Sequence, residues 1–296
     1  MISGEIFFGV FAFILGACAG SFMNVCIWRL PRNESIVTPP SHCPRCNYKI
    51  RWFENIPLIS WICLRAKCSN CRQPISARYI AVESLVAVLF ALAWFKCVSQ
   101  PHSNPALFLP LATVIFMAVT TIFTDIEHRI IPDEITFPVL VAGLVFAILW
   151  PLNWELTYFI LKDLYGVRIT LNPRITAFMF SAVGLVVSFG AFAIFAIVGK
   201  RVFGKDALGW GDVKYMGALG ACLGLPAAFF TALAGSILGT LYGLLLMLTK
   251  KAGLKTEIPF GPFLSIGTLI WIFFDDRIIR TYFWISRLIL TSLGFK

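Results

Sequence analysis

Long uncharged apolar runs separated by short polar segments dominate the chain. Residues 6–28 carry no charge, and residues 79–95 carry only Glu83. Further uncharged runs cover residues 97–124, 135–154, 175–199 and 215–249. A membrane-crossing helix needs about 20 mostly apolar residues, so each shorter run predicts one crossing. The run over 215–249 is too long for one crossing, and Gly224-Leu225-Pro226 interrupts it, so it predicts two. The expectation is eight helices, at residues 5–28, 79–96, 106–124, 134–150, 175–199, 207–223, 227–249 and 259–275. Glu5 stands where a cleaved signal peptide would be basic, so the first helix is read as retained.

Composition fixes the class as an all-α polytopic membrane protein, because 58% of the residues are hydrophobic and 14% charged. The 25 basic residues outnumber the 15 acidic ones, but they are scattered between apolar runs, which argues against nucleic-acid binding. Lys and Arg collect in cytoplasmic connections instead. Residues 29–78 hold nine of them against Glu34 and Glu54, which predicts a cytoplasmic domain and an outside N-terminus. Lys200, Arg201, Lys205, Lys250 and Lys251 reinforce that side. The domain reading is a first transmembrane helix over 1–28, a cytoplasmic domain over 29–78, a seven-helix core over 79–275 and an amphipathic interfacial tail over 276–296. An external connection over 151–174, with a short surface helix at 156–164, completes it. Membrane lipids are the surrounding partner.

Within the polar domain, Cys43-Pro44-Arg45-Cys46 is followed by Cys68-Ser69-Asn70-Cys71. Four thiolates in two such pairs wrap one tetrahedral zinc, which leaves no open position and makes the ion structural. Disulfides are disfavoured on a reducing side. Cys18, Cys26, Cys97 and Cys222 read as small packing residues, and Cys63 and His42 carry no assignment.

Two acids stand where polar and apolar segments meet. Asp125 opens a charged stretch running to Asp133, and Asp212 lies in Gly209-Trp210-Gly211-Asp212. Charge beside hydrocarbon requires a partner or a function. Brought together, the two carboxylates cannot both ionise cheaply, so one holds a proton while the other activates water. That is the chemistry of aspartic peptide hydrolysis. The competing reading is a buried acid pair stabilising a transporter or scaffold. Gly209 and Gly211 are expected to permit close approach, Glu127 and Lys214 to tune the pair, and Asp133 to serve the N-terminus of a helix after Pro132. Glu83, one turn beyond Arg78, either pairs with that residue or faces a polar cofactor or substrate.

The ordered set of motifs resembles the bacterial type IV prepilin peptidases, which are GxGD-type membrane aspartic proteases. It comprises Gly20-Ser21-Phe22-Met23-Asn24-Val25, both cysteine pairs, Asn55-Ile56-Pro57-Leu58, Ile75-Ser76-Ala77-Arg78-Tyr79, residues 125–133, residues 209–214 and Pro259-Phe260-Gly261-Pro262. The resemblance implies Asp125 and Asp212 as the proteolytic pair in a bacterial inner membrane, facing the cytoplasm. It implies cleavage of basic leaders from type IV prepilins or type II secretion pseudopilins. N-methylation of the new terminus with S-adenosylmethionine would follow, with Asn24 and Glu83 influencing amine or cofactor placement. The four-cysteine domain favours the bifunctional branch over a monofunctional peptidase.

Overall fold

The computed structural model describes residues 2–99, 104–151, 172–204, 208–249 and 258–292. The external connection expected to hold a surface helix at 156–164 lies almost wholly outside them. The described chain is all-α: the only strand-like pairings among these residues are isolated bridges, His42 with Lys49 and Lys67 with Pro74. Its α-helices are α1 (Ile2–Arg29), α2 (Ile59–Cys63), α3 (Ala77–Ser99), α4 (Phe108–His128), α5 (Asp133–Leu149), α6 (Pro173–Phe203), α7 (Trp210–Leu248) and α8 (Gly261–Ser292). Five of these are long and apolar enough to cross a membrane: α1, α3, α4, α6 and α7.

α7 is two arms. Gly224 has φ 79° and ψ 178°, a conformation open in practice only to glycine, and Pro226 follows it. The contacts show that the chain turns back there. The Tyr215 hydroxyl meets Thr268 at 2.9 Å, while the backbone of Thr231 lies against Gly267, one residue away on α8. On a straight helix positions 215 and 231 would be about 24 Å apart. The helices expected over 207–223 and 227–249 are therefore the two limbs of this hairpin.

Ion pairs fasten the helices at opposite ends of the bundle. Lys96, near the end of α3, reaches the Ile272 carbonyl and the Asp275 carboxylate of α8. At the other end Arg78 of α3 pairs with Glu127 of α4. α8 runs unbroken through Ser292 rather than stopping at residue 275 as the sequence reading placed it. No Gly or Pro lies between Thr268 and Ser292, and Asp276 precedes Arg280 by one helical turn, a favourable spacing.

Residues 30–76 form a small lobe with two 3-10 turns and α2. It is tied down by buried groups. Arg29 is buried and donates to the carbonyls of Ser35 (2.9 Å) and Pro39 (2.7 Å). The Leu58 N–H donates to Glu83 Oε2 at 2.7 Å.

Candidate active site

Asp125 lies in the last turn of α4, and Asp212 in the first turn of α7. They are 7% and 8% exposed, and both line one cavity of about 710 Å³. The cavity is walled by the α4–α5 connection, the start of α7 and the segment leading into α8. Asp125 Oδ2 accepts from the Gly261 N–H at 2.9 Å, at the first residue of α8. The unpaired N–H groups and positive dipole end of a helix N-terminus suit an anion there. A side chain at position 261 would meet Asp125 Oδ2 at 2.8 Å and Thr121 Cγ2 at 3.0 Å, so this approach requires glycine.

The other residues singled out in these motifs divide. Gly211 backs onto Ile131, where a Cβ would come within 2.9 Å, as a close approach demands. Gly209 has φ −72° and ψ 144°, which any residue adopts. Lys214 does not reach either aspartate: its Nζ lies 2.7 Å from both carboxylate oxygens of Asp133. Asp133 does stand in the first turn of α5, and this clamp joins α5 to α7 beside the cavity. Glu127 pairs with Arg78, and its side chain faces a different chamber. Gly261 is the participant that sequence reasoning left without a role.

Asn24 and Glu83 lie near each other but serve different surroundings. Asn24 is 1% exposed, and its amide donates to Tyr79 O at 3.2 Å and Gly20 O at 3.3 Å. Glu83, 7% exposed, does not pair with Arg78; it anchors Leu58 and lines a second cavity, of about 420 Å³, under the lobe. Asn24 is not among the residues lining that cavity.

The sulfurs of Cys43, Cys46, Cys68 and Cys71 all lie within 4.8 Å of one another. Cys43 and Cys71 are 3.9 Å apart, and Cys46 and Cys68 are 4.0 Å apart. A tetrahedron with metal–sulfur distances of about 2.3 Å has edges of about 3.8 Å, so the donor set fits one metal ion. Two matching loops present it. In each, the first cysteine's N–H bonds to the carbonyl five residues on, Tyr48 or Gln73, and its carbonyl accepts from a residue with left-handed backbone, Asn47 or Arg72. The Tyr48 N–H brings the Cys46 thiol down to about 6, and the Cys71 N–H lowers Cys68. At Cys71 the Gln73 N–H is outweighed by burial and by the neighbouring sulfurs, which push that thiol up to about 11, as expected of four sulfurs with no cation among them. Cys63 is exposed outside the cluster; Cys26, Cys97 and Cys222 are buried, and Cys18 is exposed on α1.

Comparison with known proteins matches two family models in chain order. Residues 14–97 match the bacterial peptidase A24 N-terminal domain, and residues 111–244 match the type IV leader peptidase family. The chain belongs to the type IV leader peptidase family. Among its relatives in that family, a prepilin leader peptidase/N-methyltransferase of Myxococcus xanthus is 38% identical over 84% of this chain and 67% of its own length. One of Aeromonas salmonicida with the same description is 32% identical, over 91% of this chain and 92% of its own. A type 4 prepilin-like proteins leader peptide-processing enzyme of Escherichia coli O78:H11 is 34% identical over 89% and 93%. No solved structure gives a significant match. The leader peptidase signature thus spans both the four-cysteine lobe and the helices that carry the two aspartates.

Proposed function

We infer that this leader peptidase is a two-reaction enzyme of the bacterial inner membrane, with eight crossings and its lobe and aspartates facing the cytoplasm. It hydrolyses the bond after the basic leader of type IV prepilins or type II secretion pseudopilins, then methylates the new N-terminal amine. One observation carries the first reaction: two nearly buried carboxylates from separate helices share one cavity. Such a pair holds one proton between its members. The ionised member removes a proton from water as the oxygen attacks the scissile carbonyl carbon, and the protonated member donates to the carbonyl oxygen. The tetrahedral centre then collapses: the C–N bond breaks, the nitrogen takes the proton drawn from water, and the hydroxyl proton returns to the dyad as the carboxyl product forms. The substrate's apolar helix packs laterally in the bilayer, and its basic leader stays at the cytoplasmic face.

Zinc is the metal for the four cysteines, where it orders the lobe and stands apart from the hydrolysis. S-adenosylmethionine, when bound, supplies an electrophilic methyl group on a sulfonium sulfur. Glu83 influences its placement or that of the amine, and Asn24 acts at one remove by holding the Tyr79 carbonyl. Support for this second reaction comes from the relatives described as N-methyltransferases and from the chamber that Glu83 lines.

The test is cleavage of a synthetic substrate with a basic leader and an apolar helix, in liposomes, with product masses locating the cut. Asp125→Asn and Asp212→Asn are each expected to lose about 10²–10⁴-fold in rate while retaining insertion and metal. Near-normal cleavage by either folded variant would overturn the dyad. A folded wild type that cleaves no prepilin would favour a nonenzymatic scaffold, and cleavage without methylation a monofunctional peptidase.

A further inference from the structure

The two chambers share no lining residue, yet both reach the same end of α4. Asp125 lines the first and Glu127 the second, so two positions of one helix serve separate cavities. The second chamber, at about 420 Å³, falls in the range of about 300–1,000 Å³ usual for small-molecule sites. Its chemistry is uneven. Glu54, Glu83 and Glu127 place three carboxylates on its wall beside Arg45 and Arg78, with the aromatic rings of Trp61 and Tyr79 among them. Arg78 pairs with Glu127 and Arg45 donates to Gln73, whereas Glu83 has no ion pair among the described residues. Glu54 is held ionised by the Arg51 N–H. Two buried donors face it without a hydrogen-bond partner among the described residues: the Trp61 indole N–H and Arg78 Nε. Enclosed donors left unmatched cost free energy unless a ligand supplies acceptors.

We propose that this chamber is the methyl-donor site, binding S-adenosylmethionine with Trp61 and Arg78 donating to its acceptor atoms and Glu83 facing its sulfonium. The proposal rests on the two-reaction reading and gives the second reaction a location. A ligand carrying several acceptors and one fixed positive charge matches two donors without partners, the Glu83 carboxylate and aromatic faces, which attract cations. In the reaction the new N-terminal amine first loses a proton to solvent. Its nitrogen lone pair then forms a bond to the methyl carbon as the carbon–sulfur bond breaks. The electron pair of that bond stays on sulfur as a neutral thioether, and the positive charge passes to the methylated nitrogen. Glu83 therefore faces a cation before and after transfer.

Calorimetry on the zinc-loaded chain in detergent tests this, using S-adenosylmethionine and its product S-adenosylhomocysteine, which lacks the sulfonium charge, as probes. Trp61→Ala is expected to weaken both by tenfold or more. Glu83→Gln still accepts from Leu58 but loses the charge, so it should weaken the sulfonium ligand about tenfold and the thioether less than threefold. A purely structural role for Glu83 would lower both equally and would overturn its assignment. Should Trp61→Ala fail to fold, ultraviolet crosslinking of labelled S-adenosylmethionine to wild type replaces it. Adducts within residues 54–61 or 76–83 support the site, and adducts confined elsewhere reject it. Wild-type affinity in both variants, in an enzyme that still methylates, sinks the chamber and leaves the two-reaction reading standing. A wild type that neither binds nor methylates removes both.

Discussion

Asp125 sits at the wrong end of its own helix. The C-terminal turn of α4 presents the negative pole of the backbone dipole, and the first N–H of α8 offsets it from outside. Gly261→Ala would push a methyl group against that carboxylate. A displacement near 1 Å at a reacting group costs on the order of 10²-fold in rate, so the variant should lose roughly that much cleavage while keeping its fold and metal. Unchanged cleavage in the liposome assay would show that the contact does not position Asp125. The two acids were legible because charge beside long apolar runs is conspicuous. Gly261 was not, since backbone donation leaves no mark on residue identity; Pro259-Phe260-Gly261-Pro262 stood out only as a pattern. The partner of Lys214 was not legible for a related reason: its nearness in sequence to Asp212 said nothing of Asp133, 81 residues away.

Among the elements, the turn at Gly224 decides how many times the chain traverses the bilayer. Run length and the Gly-Leu-Pro interruption made that hairpin readable. The reach of α8 was less readable, because Asp275 and Asp276 look like the end of a span, whereas Asp275 has a cationic partner in Lys96 of α3. The hairpin places residue 225 at the end of the bundle opposite the lobe. With the exposed native thiols Cys18 and Cys63 replaced and the metal site intact, single cysteines at Ser35 and Leu225 should label from opposite faces in intact cells. The impermeant reagent should reach Leu225 from outside and Ser35 only after the membrane is opened. Labelling of both from one side would contradict the hairpin or the orientation.

At the scale of the whole molecule, the lobe is fastened to the bundle by Arg29, by Glu83 and, at its exit, by the Arg78–Glu127 pair, but its interior is organised by four cysteines. A structural zinc in small domains contributes about 10–16 kcal/mol, which would be most of what orders the residues between those ties. Purified enzyme should hold one zinc per chain, and Cys→Ser at position 43, 46, 68 or 71 should release it. Proteolysis should then accelerate within residues 30–76 while the membrane helices persist by circular dichroism. Enzyme purified under reducing, chelator-free conditions with no bound metal would reject this. The spacing of the cysteines made the lobe legible, and the family resemblance pointed to a polar pocket beside Glu83; which other residues wall that cavity was not legible, because they come from three separated segments. The bond from Gly261 to Asp125 has a further consequence, for biogenesis. Its two ends are 136 residues apart, and the donor opens the last of the described helices. A nascent chain therefore carries both aspartates into the membrane well before the hydrogen bond that seats the first of them is available. Completion of the site waits on the synthesis of that helix.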